Sequence, residues 1–338
     1  MKRNAEIEFY RFLMIMGVAI LHFSEDYSTK VFYGGYLGVD FFFMLSGYFL
    51  MVHFLKHEQM GVNPVRSSLT YVMNRIKKLY PPYFVTILLM TAVRWIHAGG
   101  GMGNLWLLIY QNRWQYLMLH SVGAPTACII RSVWFLSPLI VLSYFIYFCL
   151  CINKEKAVGL APIISLIGFV FIAQKYGFLG IHFEYIGIFG GGFVRGLPEM
   201  LLGVFLAYLV EEYYKDKKVI RNDICGILLR MVCYVVILWT MWRSQWNFED
   251  FNVLPTFALL IMLSFVNPIK CRMEKVMIYL GGISYWIYLL HIVVGFVLAN
   301  YFPGRSYPVM LLIYILCVIG MASFLRVVQK YFGKVNSL

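Results

Sequence analysis

The chain has 338 residues, of which 61% are hydrophobic, 18% aromatic and only 13% charged. A mean hydropathy of +0.73 excludes an ordinary soluble protein of this length. The net charge of +13 does not indicate a nucleic-acid partner, because the lysines and arginines lie in short clusters between long apolar runs and do not cover one surface. We therefore expect a polytopic membrane protein in contact with the lipid bilayer.

Ten apolar runs are close to the roughly 20 residues that a helix needs to cross a bilayer. They predict an all-α transmembrane helix bundle, a single domain over residues 1–338 with no fused soluble domain. The predicted spans are 9–23, 36–54, 79–97, 133–152, 157–173, 193–210, 224–242, 251–266, 276–301 and 307–328.

The charge of the loops predicts the orientation of these spans. If both termini are cytoplasmic, the inner loops hold 19 of the 29 basic residues and the outer loops hold six. Because lysine and arginine are concentrated on the cytoplasmic side of membrane proteins, this distribution predicts that both termini are cytoplasmic. It also predicts a multi-pass protein of the cytoplasmic membrane.

Two loops are long. The inner loop 55–78 ends in a basic amphipathic segment that we expect to form a helix running into the third span. Anionic lipid headgroups could hold such a helix, or it could form a phosphate site, because Arg75 and Lys78 are three residues apart and share a helix face. In the outer loop 98–132, glycines 99–103 predict a turn, and the aromatic segment 106–120 predicts an interfacial or re-entrant helix.

Arg11 and His22 lie in the first span, eleven residues apart. At about 100° per residue this separation is within about 20° of three full turns, so both side chains face the same way, about 16 Å apart along the axis. An arginine at a helix end could instead extend to the headgroups, and a buried histidine could hydrogen-bond between helices. Ionisable side chains in apolar spans nevertheless favour a functional explanation.

Asp40 enters the bilayer at a height comparable with that of His22. A hydrogen bond between these two side chains would fix the imidazole tautomer and raise the basicity of the other ring nitrogen. The alternative for Asp40 is a helix N-cap. Ser46 is six residues deeper and beside Gly47, which favours a small helix-packing residue over a nucleophile.

Two later spans also carry polar residues. Arg195 and Glu199 are at i and i+4, where they can form an ion pair. Ser284, Tyr288 and His291 lie on one helix face, where they could line a cavity or hydrogen-bond to neighbouring helices. The sequence has no HExxH, CxxC or carboxylate cluster, so we expect no metal site.

Taken together and in order, these segments resemble the bacterial acyltransferase-3 family of integral membrane proteins. The resemblance covers nearly the whole chain. It rests on Arg11 and His22 with ten residues between them, Gly38-Val-Asp40-Phe-Phe-Phe-Met-Leu-Ser46-Gly47, Arg75-x-x-Lys78-x-x-Pro81, Arg195-Gly-Leu-Pro198-Glu199 with Gly203, and Ile283-Ser284-Tyr285-x-Ile-Tyr288-Leu-Leu-His291.

The resemblance implies that the protein moves an acyl group, usually acetyl, from cytoplasmic acyl-CoA to a hydroxyl of a cell-envelope glycan or its lipid-linked precursor. Acyl-CoA would be a donor substrate, and no bound cofactor is implied. By position, His22 would be catalytic with support from Asp40. Arg11, Arg75 and Lys78 would hold the CoA phosphates or shape the route of its arm. The further candidates for substrate contacts are Ser46, Arg195, Glu199, Tyr288 and His291.

The sequence departs from the family pattern at two places. Many relatives have a Trp-Ser-Leu-Ser segment followed by acidic residues, whereas this chain has Trp134-Phe-Leu-Ser137-Pro138 without them. The second basic position of the arginine motif is Lys78, which makes point-charge contacts and lacks the planar fork of arginine.

Direct transfer with neutral His22 as general base is the mechanism that we expect. A covalent acyl-histidine is the second possibility. A secondary transporter or a lipid or glycan flippase is the main alternative function, because buried Arg, Asp and His side chains also suit a substrate or proton path. Against it, the sequence shows no inverted repeat of broken helices. A third possible function is that of a scaffold protein in a glycan-synthesis complex, but this function would leave the buried charges without a role.

Overall fold

The computed structural model describes residues 3–57, 63–120, 128–187, 189–214, 223–269, 271–302 and 306–335. Two short antiparallel strands, β1 (Tyr185–Ile186) and β2 (Phe189–Gly190), form a hairpin. The α-helices of the described part are α1 (Ala5–Asp26), α2 (Gly38–His57), α3 (Pro64–His97), α4 (Met102–Gln111), α5 (Arg113–Tyr116), α6 (Leu136–Ile152), α7 (Lys154–Lys175), α8 (Gly191–Leu209), α9 (Asp223–Arg243), α10 (Val253–Val266), α11 (Glu274–Tyr301) and α12 (Tyr307–Val335).

Ten of these helices are long and apolar enough to cross a membrane, some of them together with an adjoining helical turn. The ten predicted spans are therefore confirmed, and the fold is an all-α membrane bundle. The short helices α4 and α5 lie outside this set. Seven basic residues of the loop-charge prediction lie outside the described residues, namely Lys2, Lys215, Lys217, Lys218, Arg221, Lys270 and Arg305.

The helix α3 joins the amphipathic segment and the third span without a break, as predicted. The Asn63 side chain caps its N-terminus by accepting a hydrogen bond from the backbone N–H of Arg66 (3.2 Å). Pro81 and Pro82 lie inside the helix. Membrane helices tolerate internal prolines, because neighbouring helices and local adjustment provide new partners for the freed backbone groups.

The outer-loop predictions concern the turn and the aromatic segment. Gly99 and Gly100 have positive φ angles of +85° and +76°, a conformation that favours glycine, so the predicted glycine turn is confirmed. The aromatic segment forms α4 and α5. Trp106 on α4 is 68% exposed, and an exposed aromatic helix of this kind suits a membrane interface.

Hydrogen bonds between helix ends define two faces of the bundle. On one face, which we call the terminal face because α1 begins and α12 ends there, Glu6 accepts a hydrogen bond from Arg230 near the start of α9 (3.1 Å). On the opposite face, the hydroxyls of Ser24 near the end of α1 and Tyr307 at the start of α12 are 2.6 Å apart. The helices therefore run between these two faces.

Two helix pairs form the centre of the bundle, α1 with α11 and α2 with α8. The α2 and α8 backbones approach closely at Gly47 and Gly203. A Cβ atom on Gly47 would overlap the carbonyl oxygen of Met200, and one on Gly203 would overlap that of Met44. Small residues allow such close packing in membrane helices. This packing places the polar residues of α2 and α8 against one another.

Candidate functional site

A cavity of about 420 Å³ lies among α1, α2, α3, α6 and α11. It gathers five of the ten residues predicted for the site from four separate helices. These five are Arg11, Ser46, Arg75, Lys78 and Tyr288. Five of the residues predicted from the sequence are therefore distant from one another in the chain but line the same cavity.

The end of the cavity nearer the terminal face is positively charged. The guanidinium of Arg75 donates to the hydroxyls of Ser46 (2.9 Å), Ser143 (3.2 Å) and Tyr71 (3.3 Å). These hydroxyls orient the guanidinium but do not neutralise it. Lys78 lines the same cavity, and its lining residues include no Asp or Glu. Planar guanidinium groups and lysine amines in such a setting suit phosphate groups.

Arg11 also faces this cavity, but its charge is partly compensated. Its Nη1 donates to a carboxylate oxygen of Glu8 at 2.9 Å, three residues earlier in α1. The pair holds the guanidinium beside the cavity. Arg11 therefore differs from Arg75, whose side-chain hydrogen bonds to the described residues all go to hydroxyl groups.

Two helix faces lead from this cavity towards the opposite face of the bundle. On α1, Arg11, Ile15 and Val18 line the cavity, and His22 follows one turn later at the same helical spacing. On α11, Ser284 and Tyr288 line the cavity, and His291 follows one turn later. The two imidazole rings stack with their centroids 5.4 Å apart and their planes at 27°.

His22 has a carboxylate partner that the sequence analysis did not find. Its Nδ1 lies 3.0 Å from an oxygen of Glu25, three residues later in α1. A carboxylate only accepts hydrogen bonds, so the nitrogen that faces it must carry a hydrogen. This contact therefore selects the tautomer with hydrogen on Nδ1 and leaves the lone pair on Nε2. The His22 side chain is 25% exposed, so a substrate group can reach it.

His291 is almost completely enclosed. Only 1% of the residue is exposed, its Nδ1 lies 3.2 Å from the carbonyl oxygen of Ile287, and its Nε2 has no hydrogen-bond partner in the structure. The Tyr288 hydroxyl donates to the carbonyl oxygen of Ser132 (2.8 Å). The polar face of α11 thus both lines the cavity and hydrogen-bonds to neighbouring backbone, which combines the two predicted alternatives.

The predicted hydrogen bond between Asp40 and His22 is wrong. Both carboxylate oxygens of Asp40 accept hydrogen bonds from Arg195, at 2.8 Å from Nε and 2.5 Å from Nη2. Both side chains are fully buried. A buried carboxylate is stable only with a matched charge or several donors, and the α2–α8 interface supplies the guanidinium. The partner of His22 is Glu25 instead.

The predicted ion pair of Arg195 and Glu199 is confirmed, with 3.4 Å between Nε and a carboxylate oxygen. Arg195 also donates to the carbonyl oxygen of Tyr36 (3.0 Å). These contacts place Arg195 at the centre of a buried network between α2 and α8. A role of Arg195 and Glu199 in substrate binding stays a prediction.

His182 is a further histidine near His22, in the helical turn Ile181–Phe183 before β1. Its ring stacks on Trp134 with centroids 4.8 Å apart. Burial, together with the positive charge of Arg195, lowers the pKa of His182 from 6.5 to about 3. Burial likewise lowers the pKa of His120 to about 4. Both side chains are therefore neutral in the folded protein at neutral pH.

We expect acidification to destabilise the folded protein through these histidines. Below about pH 6.5 the unfolded chain takes up protons that the folded chain does not, so the free energy of unfolding falls continuously towards about pH 3. Each histidine contributes at most about 1.4 kcal/mol per pH unit. Thermal unfolding of the purified protein at pH 7.5 and 5.0 measures the effect. His182→Gln should weaken the pH dependence, whereas His57→Gln, at an exposed position, should not. Equal pH dependence in all three proteins would contradict the assignment.

The comparison with known proteins agrees with this geometry. The profile of the acyltransferase-3 family, described as an acyltransferase domain, matches residues 4–326. The chain belongs to the acyltransferase-3 family. All the motifs on which the resemblance was based fall within the matched residues, so that resemblance is confirmed.

The chain is also similar to proteins of Staphylococcus aureus. A Staphylococcus aureus (strain COL) protein named "Putative O-acetyltransferase" is 25% identical over 325 residues, and the match covers 87% of this chain and 51% of that protein. The protein named "O-acetyltransferase OatA" of Staphylococcus aureus strain NCTC 8325 is 22% identical over 320 residues, with the same two coverages. The chain thus spans about half the length of these curated relatives. No solved structure matches it.

Sequence reasoning missed four groups that shape the site of this acyltransferase-3 protein. These are Glu8, Glu25, Tyr71 and Ser143. Glu8 and Glu25 each lie three residues from the basic side chain that they contact, and this i, i+3 spacing was a usable signal. Ser143 is 68 residues from Arg75 in the chain, and an isolated serine in an apolar span gives no comparable signal.

Proposed function

We propose that the protein is a membrane O-acyltransferase that takes an acyl group, acetyl in the favoured case, from cytoplasmic acyl-CoA. The acceptor would be a hydroxyl of a cell-envelope polysaccharide or of its lipid-linked precursor. The observation that carries this proposal is the single cavity with Arg75 and Lys78 at one end and an α1 face that continues to His22. The family membership and the names of the relatives support the same reaction class.

The charge and shape of the cavity support acyl-CoA as the donor. CoA carries a diphosphate and a further phosphate on a nucleotide, joined to a long flexible arm that ends in the thioester. Arg75 and Lys78 supply positive charge that no acidic lining residue neutralises, as phosphate binding requires. The walls beyond them include Val18, Phe42 and Leu139, an apolar surface suited to the arm.

The proposed chemistry places His22 at the far end of this route. With Nδ1–H directed to Glu25, the Nε2 lone pair accepts the proton of the acceptor hydroxyl while the hydroxyl oxygen attacks the thioester carbonyl. The carbon–sulfur bond then breaks, and the leaving thiolate takes the proton from the imidazolium. The products are the acylated acceptor and CoA thiol. A covalent acyl-histidine is the alternative order of events.

The charge of the loops supports one orientation of the reaction. With 19 basic residues in the loops of one side and six in those of the other, the rule of cytoplasmic positive charge assigns the terminal face to the cytoplasm. The Arg75 end of the cavity would then meet acyl-CoA from the cell interior. His22 would meet an acceptor from the outer side of the cytoplasmic membrane.

Acyl transfer can be tested directly with radiolabelled acetyl-CoA and the purified protein in lipid vesicles. Envelope glycans from cells with and without the gene would be compared by mass spectrometry in parallel. We expect acetyl-CoA consumption that depends on the protein, and an ester that disappears with the gene. An unchanged glycan profile in cells that make the protein would contradict the proposal. Transport of glycan or lipid without consumption of acyl-CoA would favour the transporter instead.

The donor end gives a separate prediction. We expect Arg75→Gln to raise the KM for acyl-CoA about ten-fold or more and to change kcat little, because it removes a charged hydrogen-bond donor from a site remote from His22. Lys77→Gln is the matched control: it makes the same change of charge two residues away, where Lys77 lines a separate shallow groove with Arg66 and Met73. A similar rise in KM for both variants would mean that general surface charge, and not this cavity, attracts the donor.

A further inference from the structure

A second cavity borders α11. It is a groove of about 540 Å³ between α3, α11 and α12, and the side chains that line it are apolar. Along α12 it extends from Met310 to Met321, about 16 Å at the rise of an α-helix. Its wall residues Phe302 and Met321 are 51% and 40% exposed. The groove is therefore open to the side, where a membrane helix meets lipid chains.

Arg94 stands at the end of this groove nearer the opposite face, next to the lining residue Val93. Its guanidinium lies 5.4 Å from the ring centroid of Phe296 on α11. Its Nε is inaccessible to solvent and has no hydrogen-bond partner in the structure. The ionisable neighbour that influences it is Arg131, a second cation. An arginine that is half-buried without a carboxylate is costly and calls for an external anion.

The sequence explains why the chain itself supplies no anion from this region. No Asp or Glu occurs between Glu58 and Glu155, a segment that includes α3, α4, α5 and α6. Within the described residues, neither Arg94 nor Arg131 has a carboxylate partner. The positive charge at the end of the groove is therefore available to a ligand.

Arg243, another arginine near the same face, provides a comparison for the surroundings of Arg94. Arg243 ends α9, is exposed and lies 5.5 Å from the ring centroid of Trp239 on its own helix. That arrangement is typical of an arginine that extends to the headgroups. Arg94 differs because it is half-buried and lies beside an apolar groove shared by three helices. The combination of a cation and a groove distinguishes a lipid site from a general membrane surface.

We propose that the groove and Arg94 bind a lipid phosphate with one hydrocarbon chain, of the polyprenyl-phosphate class. The chain lies along the groove between α3, α11 and α12, and the phosphate accepts hydrogen bonds from Arg94, with Arg131 adding positive charge. The groove is about 16 Å long at the rise of an α-helix and about 540 Å³ in volume, and these dimensions suit one hydrocarbon chain. This inference deepens the proposed function and rests on it, because such a ligand is the anchor of a lipid-linked acceptor.

The position of the groove relative to His291 fits this role. Val293 and Val294 line the groove, two and three residues after His291 on α11, and the ring of His291 stacks on that of His22. The same helix thus borders both the groove and the histidine pair. Arg94 and His22 both lie in the halves of their helices that are nearer the opposite face. A headgroup that leaves the groove at Arg94 is therefore on the side of the bundle where His22 lies.

Native mass spectrometry of the purified full-length protein tests the site without any acyl donor. The probes are farnesyl phosphate, farnesol and dioleoylphosphatidylglycerol. We expect one retained farnesyl phosphate per protein and much weaker retention of farnesol, which lacks the phosphate. Arg94→Gln should weaken farnesyl phosphate binding about ten-fold, and Arg94→Lys should weaken it less. Arg243→Gln, with the same loss of charge, should leave binding unchanged.

A second pair of variants tests the groove itself. Cys317→Trp places a bulky side chain inside the groove, and Leu316→Trp places it on the neighbouring exposed position of α12. We expect only Cys317→Trp to prevent binding, with thermal unfolding confirming that both proteins fold. Equal binding of farnesol, equal binding of the phosphatidylglycerol, or equal effects of the two tryptophan variants would each overturn the proposal. Because these assays contain no acyl-CoA, their failure would leave the proposed acyl transfer untouched, and a failure of acyl transfer would leave the lipid site standing.

Discussion

Replacing Asp40 with alanine is expected to destabilise the folded protein by about 3–5 kcal/mol, the usual cost of removing one partner of a buried ion pair. Asp40 and Arg195 are both fully buried, and the substitution would leave the guanidinium of Arg195 with Glu199 at 3.4 Å and a backbone carbonyl. We therefore expect a lower midpoint of thermal unfolding and less monodisperse protein after detergent extraction. The defect should appear in the absence of any substrate.

Two further variants separate this structural role from catalysis. Arg195→Met combined with Asp40→Ala removes the unpaired guanidinium and should recover part of the lost stability, because apolar replacement of a buried pair is often tolerated. Glu212→Ala removes an exposed carboxylate and should change stability by no more than about 0.5 kcal/mol. If Asp40→Ala folded like the wild type and lost only acyl transfer, Asp40 would have the catalytic supporting role that the family resemblance implies.

The contrast between α1 and α2 shows how far the sequence could predict this site. Arg11 and His22 belong to one helix, so their common face follows from helical periodicity alone, and the structure agrees. Asp40 and His22 belong to different helices. Hydropathy allows their depths in the bilayer to be compared, but it does not predict the rotation of α2 about its own axis. That rotation is set by the contact of α2 with α8, through Gly47, Gly203 and Arg195.

The same reasoning explains which parts of the fold were predictable. Ten spans and the continuous helix α3 follow from apolar length and from the amphipathic pattern that precedes the third span. The pairing of α1 with α11 does not follow from such patterns, because the contacting residues His22 and His291 are 269 residues apart and no short-range pattern encodes the partner. The five residues that share the cavity were found because each lies in a motif of the family resemblance. Ser143 and Glu25 lie in none of these motifs, so the sequence analysis did not identify them.

Replacing His22 with alanine is expected to lower kcat for acyl transfer by about 10²–10⁴-fold, the usual contribution of a general base, with little change in the KM for acyl-CoA. The cations that would hold the donor are remote, since Arg11 and His22 are about 16 Å apart along α1. Membrane expression and thermal unfolding should stay close to the wild type, because His22 is partly exposed and its hydrogen bond to Glu25 joins two residues of the same helix. Full activity of this variant would exclude both general-base and acyl-histidine mechanisms.

Glu25 provides the finer test of the same histidine. Glu25→Gln keeps an oxygen that can accept the Nδ1 hydrogen of His22 but removes the charge that stabilises the imidazolium, so kcat should fall about ten-fold with an unchanged KM for the donor. Glu25→Ala removes the acceptor as well and should cost more. Glu184→Gln is the matched control, because it neutralises an exposed carboxylate in the segment between α7 and α8. An equal loss in the control, or no loss in Glu25→Gln, would show that the 3.0 Å contact does not tune the base. The graded series expected here instead separates a positioned imidazole from one that acts alone.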